Sequence, residues 1–313
     1  MNNEGLLKAI LAASSRHLAI KASMEGRPKD TTDSIGYYAQ ALRFLQMGMK
    51  YQSYTRSAEL LATVLIIALF EMLDGSPLGW ERHLKGIFWI QRSQDSNGEC
   101  GGLKQAIWWN WLNQDIWSAM RERRRVFSFY KPVRSYENME PYEVARRSTY
   151  LLAQAVNFSS KEEARQREYD PIQGQERAAC LLRMLDDWRA ALTVEFRPLP
   201  FEHNGESAFA PIWINPPAFG AALQQYNLAR ILIMVHSPSF TETHREYYLT
   251  QIEEAVNTIV GIALLAEEGY HRIISIGCLF SIALMDYLTD DFSKRQLILD
   301  LIHKHQRMTG WPA

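Results

Sequence analysis

The sequence predicts an all-α protein, an irregular multi-helix bundle of about a dozen helices. Apolar residues recur every three or four positions along most of the 313 residues, which is the spacing of one helix face. Strand-like alternation is scarce, and no fixed-period repeat is visible that would indicate a regular solenoid. Residues 209–214 could be extended, but no nearby segment offers them a partner strand.

Helical spacing in the first half of the chain is bounded by recognisable start and stop residues. The segments with this spacing are residues 6–18, 31–45, 56–73, 83–90 and 103–124. Residues 31–33 can cap the second of these helices. The third is apolar nearly all round, so it should be buried on most sides. Residues 74–77 (Asp-Gly-Ser-Pro) end it, because glycine suits the position after a helix and proline cannot continue one.

The second half continues the helical pattern around one long irregular connection. The predicted helices lie at residues 143–156, 175–192, 217–235, 252–263 and 273–288, and Ser293 can cap a last one. Residues 193–217 contain five prolines and form the connection, which is functional, flexible or a surface strap over the core. We predict a single all-helical domain over residues 1–313.

Charge and cysteine usage exclude several classes of protein. With 34 basic against 35 acidic residues, the chain has no surplus of positive charge for binding nucleic acid through its bulk charge, although this leaves a local basic face open. Cys100, Cys180 and Cys278 lie too far apart for a zinc knuckle, and an odd number suits a reducing compartment. The longest apolar run, residues 60–70, is too short to span a bilayer. We therefore expect a soluble intracellular protein with no membrane partner.

Motifs for catalysis or metal binding are missing. The sequence has no phosphate-binding loop, no serine-hydrolase elbow and no zinc-protease motif. His303 and His305 fall on opposite sides of a helix, whereas His236 and His244 could converge across a turn. A hydrogen-bonded core histidine is the expectation for His17 and His83. Adjacent acids at 162–163, 186–187, 253–254, 267–268 and 290–291 indicate solvated faces. We predict no catalytic residue, metal site or cofactor.

Two clusters each allow two interpretations. Residues 121–125 (Arg-Glu-Arg-Arg-Arg) are either a phosphate- or partner-binding patch or arginines that complement the end of a helix, and the intervening glutamate favours the second. Trp108, Trp109 and Trp111 can line a ligand cavity. More often such side chains pack between helices with their indole N–H groups bonded to carbonyls, and we favour this packing role.

Several blocks, in order, resemble the C-terminal regulatory region of fungal binuclear zinc-cluster transcription factors. This region is the fungal-specific transcription factor domain, here in its second major subtype. The blocks are LLKAILAASSRHLA (residues 6–19), ALRFLQ (41–46), ELLATVLIIALFEMLDGSPLGWERHLKG (59–86), IWWNWLNQDIWSAMRERRR (107–125), INPPAFGAALQQYNLARILIMVHSP (214–238) and IHKHQRMTGWP (302–312). They cover most of the chain, and their order together with the closing Thr-Gly-Trp-Pro makes the resemblance fairly specific.

The resemblance implies a nuclear protein of transcriptional regulation that is not an enzyme. Its implied partners are the transcriptional machinery or a DNA-binding partner or module, with a small molecule as a further possible effector. The six-cysteine module with which such regulators read DNA is absent, so direct DNA contact by this chain is not expected. The chain would then be the regulatory part of a longer factor or a standalone paralogue. The alternative is an enzyme or small-molecule-binding protein of secondary metabolism that evolved from the same scaffold.

Overall fold

The computed structural model describes residues 3–28, 30–75, 79–201, 208–239, 245–267, 269–285 and 291–311. Over these residues the chain forms α-helices and no sheet, which confirms the all-α prediction. The helices are α1 (Glu4–Met24), α2 (Thr32–Gly48), α3 (Gln52–Thr55), α4 (Ala58–Leu73), α5 (Gly79–Ser93), α6 (Gly102–Glu122), α7 (Pro141–Ser159), α8 (Lys161–Tyr169), α9 (Pro171–Ala190), α10 (Pro217–His236), α11 (Arg245–Leu264), α12 (Gly269–Ala283) and α13 (Phe292–Thr309). Short 3₁₀ turns lie at Tyr136–Asn138 and Val194–Phe196. Of the sequence predictions, those on residues 76–77, 268, 286–288 and 290 lie outside the described residues.

The internal contacts divide the chain into two compact units. Unit 1 comprises Met1–Asp115, Phe127–Pro132 and Gln306–Ala313, and unit 2 comprises Ile116–Val126 and Val133–His305. Unit 1 therefore contains α1 to α5, and unit 2 contains α7 to α12. The single domain over residues 1–313 stays a prediction.

Unit 1 is built on the apolar helix α4, which packs against α1 and α5. The Ser57 hydroxyl accepts a hydrogen bond from the Leu60 amide at 3.1 Å and so caps the first turn. Gly75 follows the helix with a φ of 75°, the left-handed conformation that glycine adopts without strain. Alanines of α1 and α2 face α4, and their small side chains let the helices approach closely: Ala9 and Ala41 pack with Ile67, and Ala12 and Ala13 with Phe70.

Unit 2 is organised around α10, which is buried on nearly all sides and packs against α7, α9, α11 and α12. Trp188 of α9 is fully buried, and its indole N–H donates to the Val144 carbonyl of α7 at 2.8 Å. Its ring stacks on Tyr226 of α10 with 5.0 Å between the ring centroids. One tryptophan thus joins three helices by packing and a satisfied polar group.

The connection between α9 and α10 corrects one expectation. The Leu199 amide donates to the Trp213 carbonyl at 2.8 Å, and the two residues form an isolated antiparallel bridge. The expectation that residues 209–214 lack a partner was therefore wrong. The partner residue, Leu199, lies in the same proline-containing connection as Trp213. Residues 202–207, which come between them in the chain, fall outside the described residues.

The start of α13 corrects a second expectation. The Asp291 carboxylate accepts hydrogen bonds from the Ser293 amide at 2.8 Å and from the Lys294 amide at 3.4 Å. The capping residue is therefore Asp291, and the prediction of Ser293 was wrong. A carboxylate at this position satisfies free amides and also interacts favourably with the positive end of the helix dipole.

Two glycine-to-alanine substitutions test the packing. A Cβ at Gly277 of α12 would lie 2.7 Å from the Trp117 ring, so Gly277→Ala is expected to lower the free energy of unfolding by about 1–2 kcal/mol. A Cβ at Gly36 of α2 meets nothing within 4 Å, so Gly36→Ala should raise it by about 0.5–1 kcal/mol through helix propensity alone. Urea denaturation at 25 °C measures both. Equal stabilisation of the two variants would contradict the close contact at Gly277.

Candidate functional site: a buried polar cluster in unit 1

The apolar helix α4 buries one acid, Glu71, whose side chain connects three helices. The residue is only 8% exposed. Its Oε1 accepts a hydrogen bond from the hydroxyl of Tyr38 on α2 at 2.6 Å and another from Nε2 of His83 on α5 at 3.1 Å. We call Tyr38, Glu71 and His83 the Glu71 cluster. Because it joins three helices through one buried carboxylate, we take it as the candidate site of unit 1.

Neighbouring contacts hold the members of the cluster in place. The Tyr38 ring stacks on Phe70, the residue before Glu71, with 4.5 Å between centroids. A second polar pair lies at the end of the same helix: Nη2 of the buried Arg16 on α1 is 2.9 Å from Oδ1 of Asp74. Within the described residues, Oε2 of Glu71 and Nε of Arg16 are buried without a hydrogen-bond partner.

The cluster shifts the pKa values of two of its members, Glu71 and Tyr38, in opposite directions. Burial by itself would raise the pKa of Glu71, but the hydrogen bonds from His83 and Tyr38 outweigh it and hold that pKa below its usual value. Burial, followed by the hydrogen bond to Glu71 and its negative charge, raises the pKa of Tyr38 well above the usual tyrosine range. At neutral pH Glu71 is therefore ionised and Tyr38 is protonated.

The chemistry of this arrangement fits a structural role, in which the cluster holds α2 and α5 against α4; we call this role a clamp. A general base or acid works best with a pKa near the operating pH, and the shifts of the Glu71 and Tyr38 pKa values both lead away from neutrality. No group of three or more His, Cys, Asp or Glu side chains that could hold a metal ion is found among the described residues. The Glu71 cluster can instead fix the positions of α2 and α5 relative to α4, because one ionised acceptor must reach both donors.

Removing one hydroxyl tests the clamp. Tyr38→Phe keeps the stack on Phe70 but removes a hydrogen bond to a buried carboxylate, so it should lower the free energy of unfolding by about 1.5–3 kcal/mol. The matched control is Tyr37→Phe, since among the described residues the Tyr37 hydroxyl has no hydrogen bond and its ring contacts Lys8. Chemical denaturation of both variants measures the difference. A loss of the same size in both would show that the hydroxyl of Tyr38 is not a clamp.

Unit 2 buries a second polar set along α10. Oε1 of Gln225 accepts hydrogen bonds from the Ser148 and Thr149 hydroxyls of α7 at 2.8 and 3.0 Å. The adjacent Gln224 donates to the Ile259 carbonyl of α11 at 2.9 Å and accepts from the Ser275 hydroxyl of α12 at 3.0 Å. Two neighbouring amides therefore connect α10 to three of the helices around it.

Two buried histidines of unit 2 are held neutral. Nε2 of His305 on α13 hydrogen-bonds to the Ala263 carbonyl at 3.0 Å, and the ring of His271 on α12 lies beside Gly220 of α10. Burial lowers the pKa of each to about 4, and nearby positive charges act in the same direction. Their imidazoles are therefore uncharged at neutral pH.

The lowered histidine pKa values predict acid sensitivity. An unfolded histidine takes up its proton near pH 6.5, while the folded one does so only near pH 4, so stability should fall as the pH falls between these values. His271→Leu is expected to reduce the slope of unfolding free energy against pH in this window by about 1.4 kcal/mol per pH unit. His303→Leu, at an exposed position of α13, is the control. An unchanged slope for His271→Leu would contradict a neutral buried imidazole.

The other predicted histidines are hydrogen-bonded to their surroundings. Nε2 of His17 bonds to the Thr309 carbonyl, and His83 bonds to Glu71, so both are hydrogen-bonded as expected. Both are half-buried, however, and lie at the edge of the core. Nδ1 of His236 bonds to the Leu232 carbonyl one turn earlier, at 2.9 Å. His244 lies outside the described residues, so its convergence with His236 stays a prediction. His303 is exposed and His305 buried, as their spacing indicates.

The arginines after α6 are mostly engaged with acids and carbonyls of unit 2. Arg123 has a φ of 55°, and the Arg124 amide closes the helix end on the Ala119 carbonyl at 3.0 Å. The Arg124 side chain bonds to Glu122 at 2.6 Å. Arg125 lies 3.5 Å from Glu162 and from Glu163. This agrees with the helix-end interpretation and leaves less charge for a phosphate-binding patch.

The three tryptophans of α6 pack in the interior, as the packing interpretation predicts. Trp108, Trp109 and Trp111 are 3%, 8% and 1% exposed. The indole N–H of Trp109 donates to the Gly98 carbonyl at 3.1 Å, and that of Trp111 donates to the Leu84 carbonyl at 2.9 Å.

Sequence reasoning did not single out Glu71 or Tyr38. The available signal was Glu71 itself, a carboxylate at the far end of an apolar helix whose other acid, Glu59, lies in the first turn. A carboxylate that is buried in such a helix needs a polar partner.

Comparisons with known proteins agree with the resemblance drawn from the sequence. Residues 1–94 match the fungal specific transcription factor domain, and this range holds α1 to α5 with the Glu71 cluster. The chain is also similar to the transcription activator AMTR1 of Alternaria alternata, with 21% identity over 92% of this chain. It spans 46% of the length of that relative. No solved structure matches the chain. The predicted resemblance to the fungal-specific transcription factor domain is therefore confirmed by the match of residues 1–94.

Proposed function

We propose that this chain regulates transcription in a fungus and that residues 1–94 serve in it as a fungal specific transcription factor domain. The observation that carries the proposal is the match of these residues, because it covers the helices that the Glu71 cluster joins. Similarity to a transcription activator over 92% of the chain supports extending the role beyond residue 94.

The proposed mode of action is binding without catalysis. In unit 1 the Glu71 cluster holds α2, α4 and α5 in one arrangement, which gives a partner a defined surface to recognise. The partners we propose are the transcriptional machinery or a DNA-binding partner or module, with a small molecule as a further effector, and the proposed site of action is the nucleus. A formal net charge of −1 supports contact with proteins over direct contact with DNA.

The alternative, an enzyme or small-molecule-binding protein of secondary metabolism, has no specific observation in its favour. The buried polar side chains along α10 form hydrogen bonds with hydroxyls and backbone carbonyls of the neighbouring helices. Among the described residues, no helix is both long and apolar enough to cross a bilayer.

A tethering experiment tests the proposal. The 313-residue chain fused to a heterologous DNA-binding domain is expected to change the expression of a reporter with matching upstream sites, relative to the DNA-binding domain alone. A fluorescent fusion of the chain is expected to concentrate in the nucleus of a fungal cell. The matched control is the fusion carrying Tyr38→Phe together with His83→Leu, which removes both donors to Glu71 and should abolish the effect.

The result that would contradict the proposal is specific. A stable fusion that leaves reporter expression unchanged, in a cell where the free chain stays in the cytosol, rules out a regulatory role in transcription. Turnover of a metabolite by the purified chain would instead support the enzymatic alternative.

A further inference from the structure

The outer side of α5 carries three positive charges and an exposed aromatic ring. Arg82, Lys85, Trp89 and Arg92 follow one another at spacings of three, four and three residues, so they share one side of the helix. All four are exposed, and Trp89 is 55% exposed. From the first to the last, this stripe extends over about 15 Å.

A second ring enlarges this surface. Phe129 is 77% exposed, and the Arg92 guanidinium lies 5.6 Å from the centroid of its ring and 5.6 Å from that of Trp89. The two rings also flank Phe88, at 5.1 and 5.9 Å between centroids, so the buried aromatic core supports them from below. We call Arg82, Lys85, Trp89, Arg92 and Phe129 the basic–aromatic face; all five belong to unit 1.

The positive charges of this face are not balanced. Within the part of the chain that the structure describes, Arg82, Lys85 and Arg92 form no ion pair. The one acid on α5 is Glu81 at its first turn, and it is partly buried. Adjoining exposed aromatic rings bordered by polar residues are typical of interaction sites, and Trp and Arg are among the residues most enriched in binding hot spots.

We infer that the basic–aromatic face binds an acidic peptide segment that carries aromatic or leucine side chains. Carboxylates of the peptide would pair with Arg82 and Lys85, and its apolar side chains would cover Trp89 and Phe129. Charge complementarity selects this partner, because the face offers positive charge and apolar area together. Nucleic acid is disfavoured, because three cations neutralise few phosphates and the formal net charge of the whole chain is −1.

The inference goes beyond the proposed function and does not rest on it, since the face would bind such a peptide wherever the protein acts.

The test uses the full 313-residue chain. The probe is a short fluorescein-labelled peptide in which aspartate alternates with phenylalanine and leucine, and binding is followed by fluorescence anisotropy. The comparison probes are the same peptide with lysine in place of aspartate, and a labelled single-stranded DNA oligonucleotide.

Charge-reversal variants locate the binding site. Arg82→Glu combined with Lys85→Glu should weaken binding of the acidic peptide about tenfold, because each reversal replaces an attraction by a repulsion. Arg43→Glu combined with Lys50→Glu makes the same change in net charge at exposed positions of unit 1 that do not belong to α5 and should leave binding unchanged. Raising the salt from about 50 to about 200 mM should weaken the wild-type complex.

Aromatic variants test the apolar part of the face. Trp89→Ala and Phe129→Ala should each weaken binding several-fold, whereas Tyr169→Ala, at a 92% exposed tyrosine, should not. Circular dichroism confirms that each variant is folded. Three results would overturn the inference: the acidic peptide fails to bind, the lysine peptide or the DNA binds more tightly, or the α5 variants bind like the wild type.

Discussion

A helix pairs its own backbone groups, so its backbone does not determine which neighbour it packs against or at what angle. In this protein that information comes from a small number of buried polar side chains. The Glu71 carboxylate must reach donors on two other helices, and the Gln224 and Gln225 amides must reach three. Because an unpaired buried polar group is costly, each of these arrangements disfavours alternative helix packings of similar apolar area.

The same constraint connects the interior of unit 1 to its surface. His83 fixes one side of α5 to the ionised Glu71, and Phe88 and Ile87 bury the helix further along. The exposed side of α5 carries Trp89 and the three cations of the basic–aromatic face. A rigidly held helix loses little conformational freedom when a partner binds to its exposed side, which favours recognition. The proposed regulatory role and the basic–aromatic face are thus compatible with the same buried clamp.

The sequence was sufficient for the fold class and for the apolar interior. Helical periodicity predicted most of the helices, and the tryptophan cluster of α6 is buried with the N–H groups of Trp109 and Trp111 bonded as expected. The short helix α8 was missed because its surface is mostly charged and offers no apolar stripe. The Glu71 cluster was also missed, since its members lie 33 and 12 residues from Glu71 and only the folded chain brings them together.

The nearly complete burial of α10 has a consequence for how such a protein can diverge. A helix with a water-facing side tolerates substitutions there, but α10 has polar side chains committed to neighbours and small residues at tight contacts, such as Gly220 beside His271. Random drift along this segment is therefore restricted to exchanges that conserve volume. In a relative with 21% identity, the order of large and small side chains along α10 should therefore persist after most exposed positions have changed.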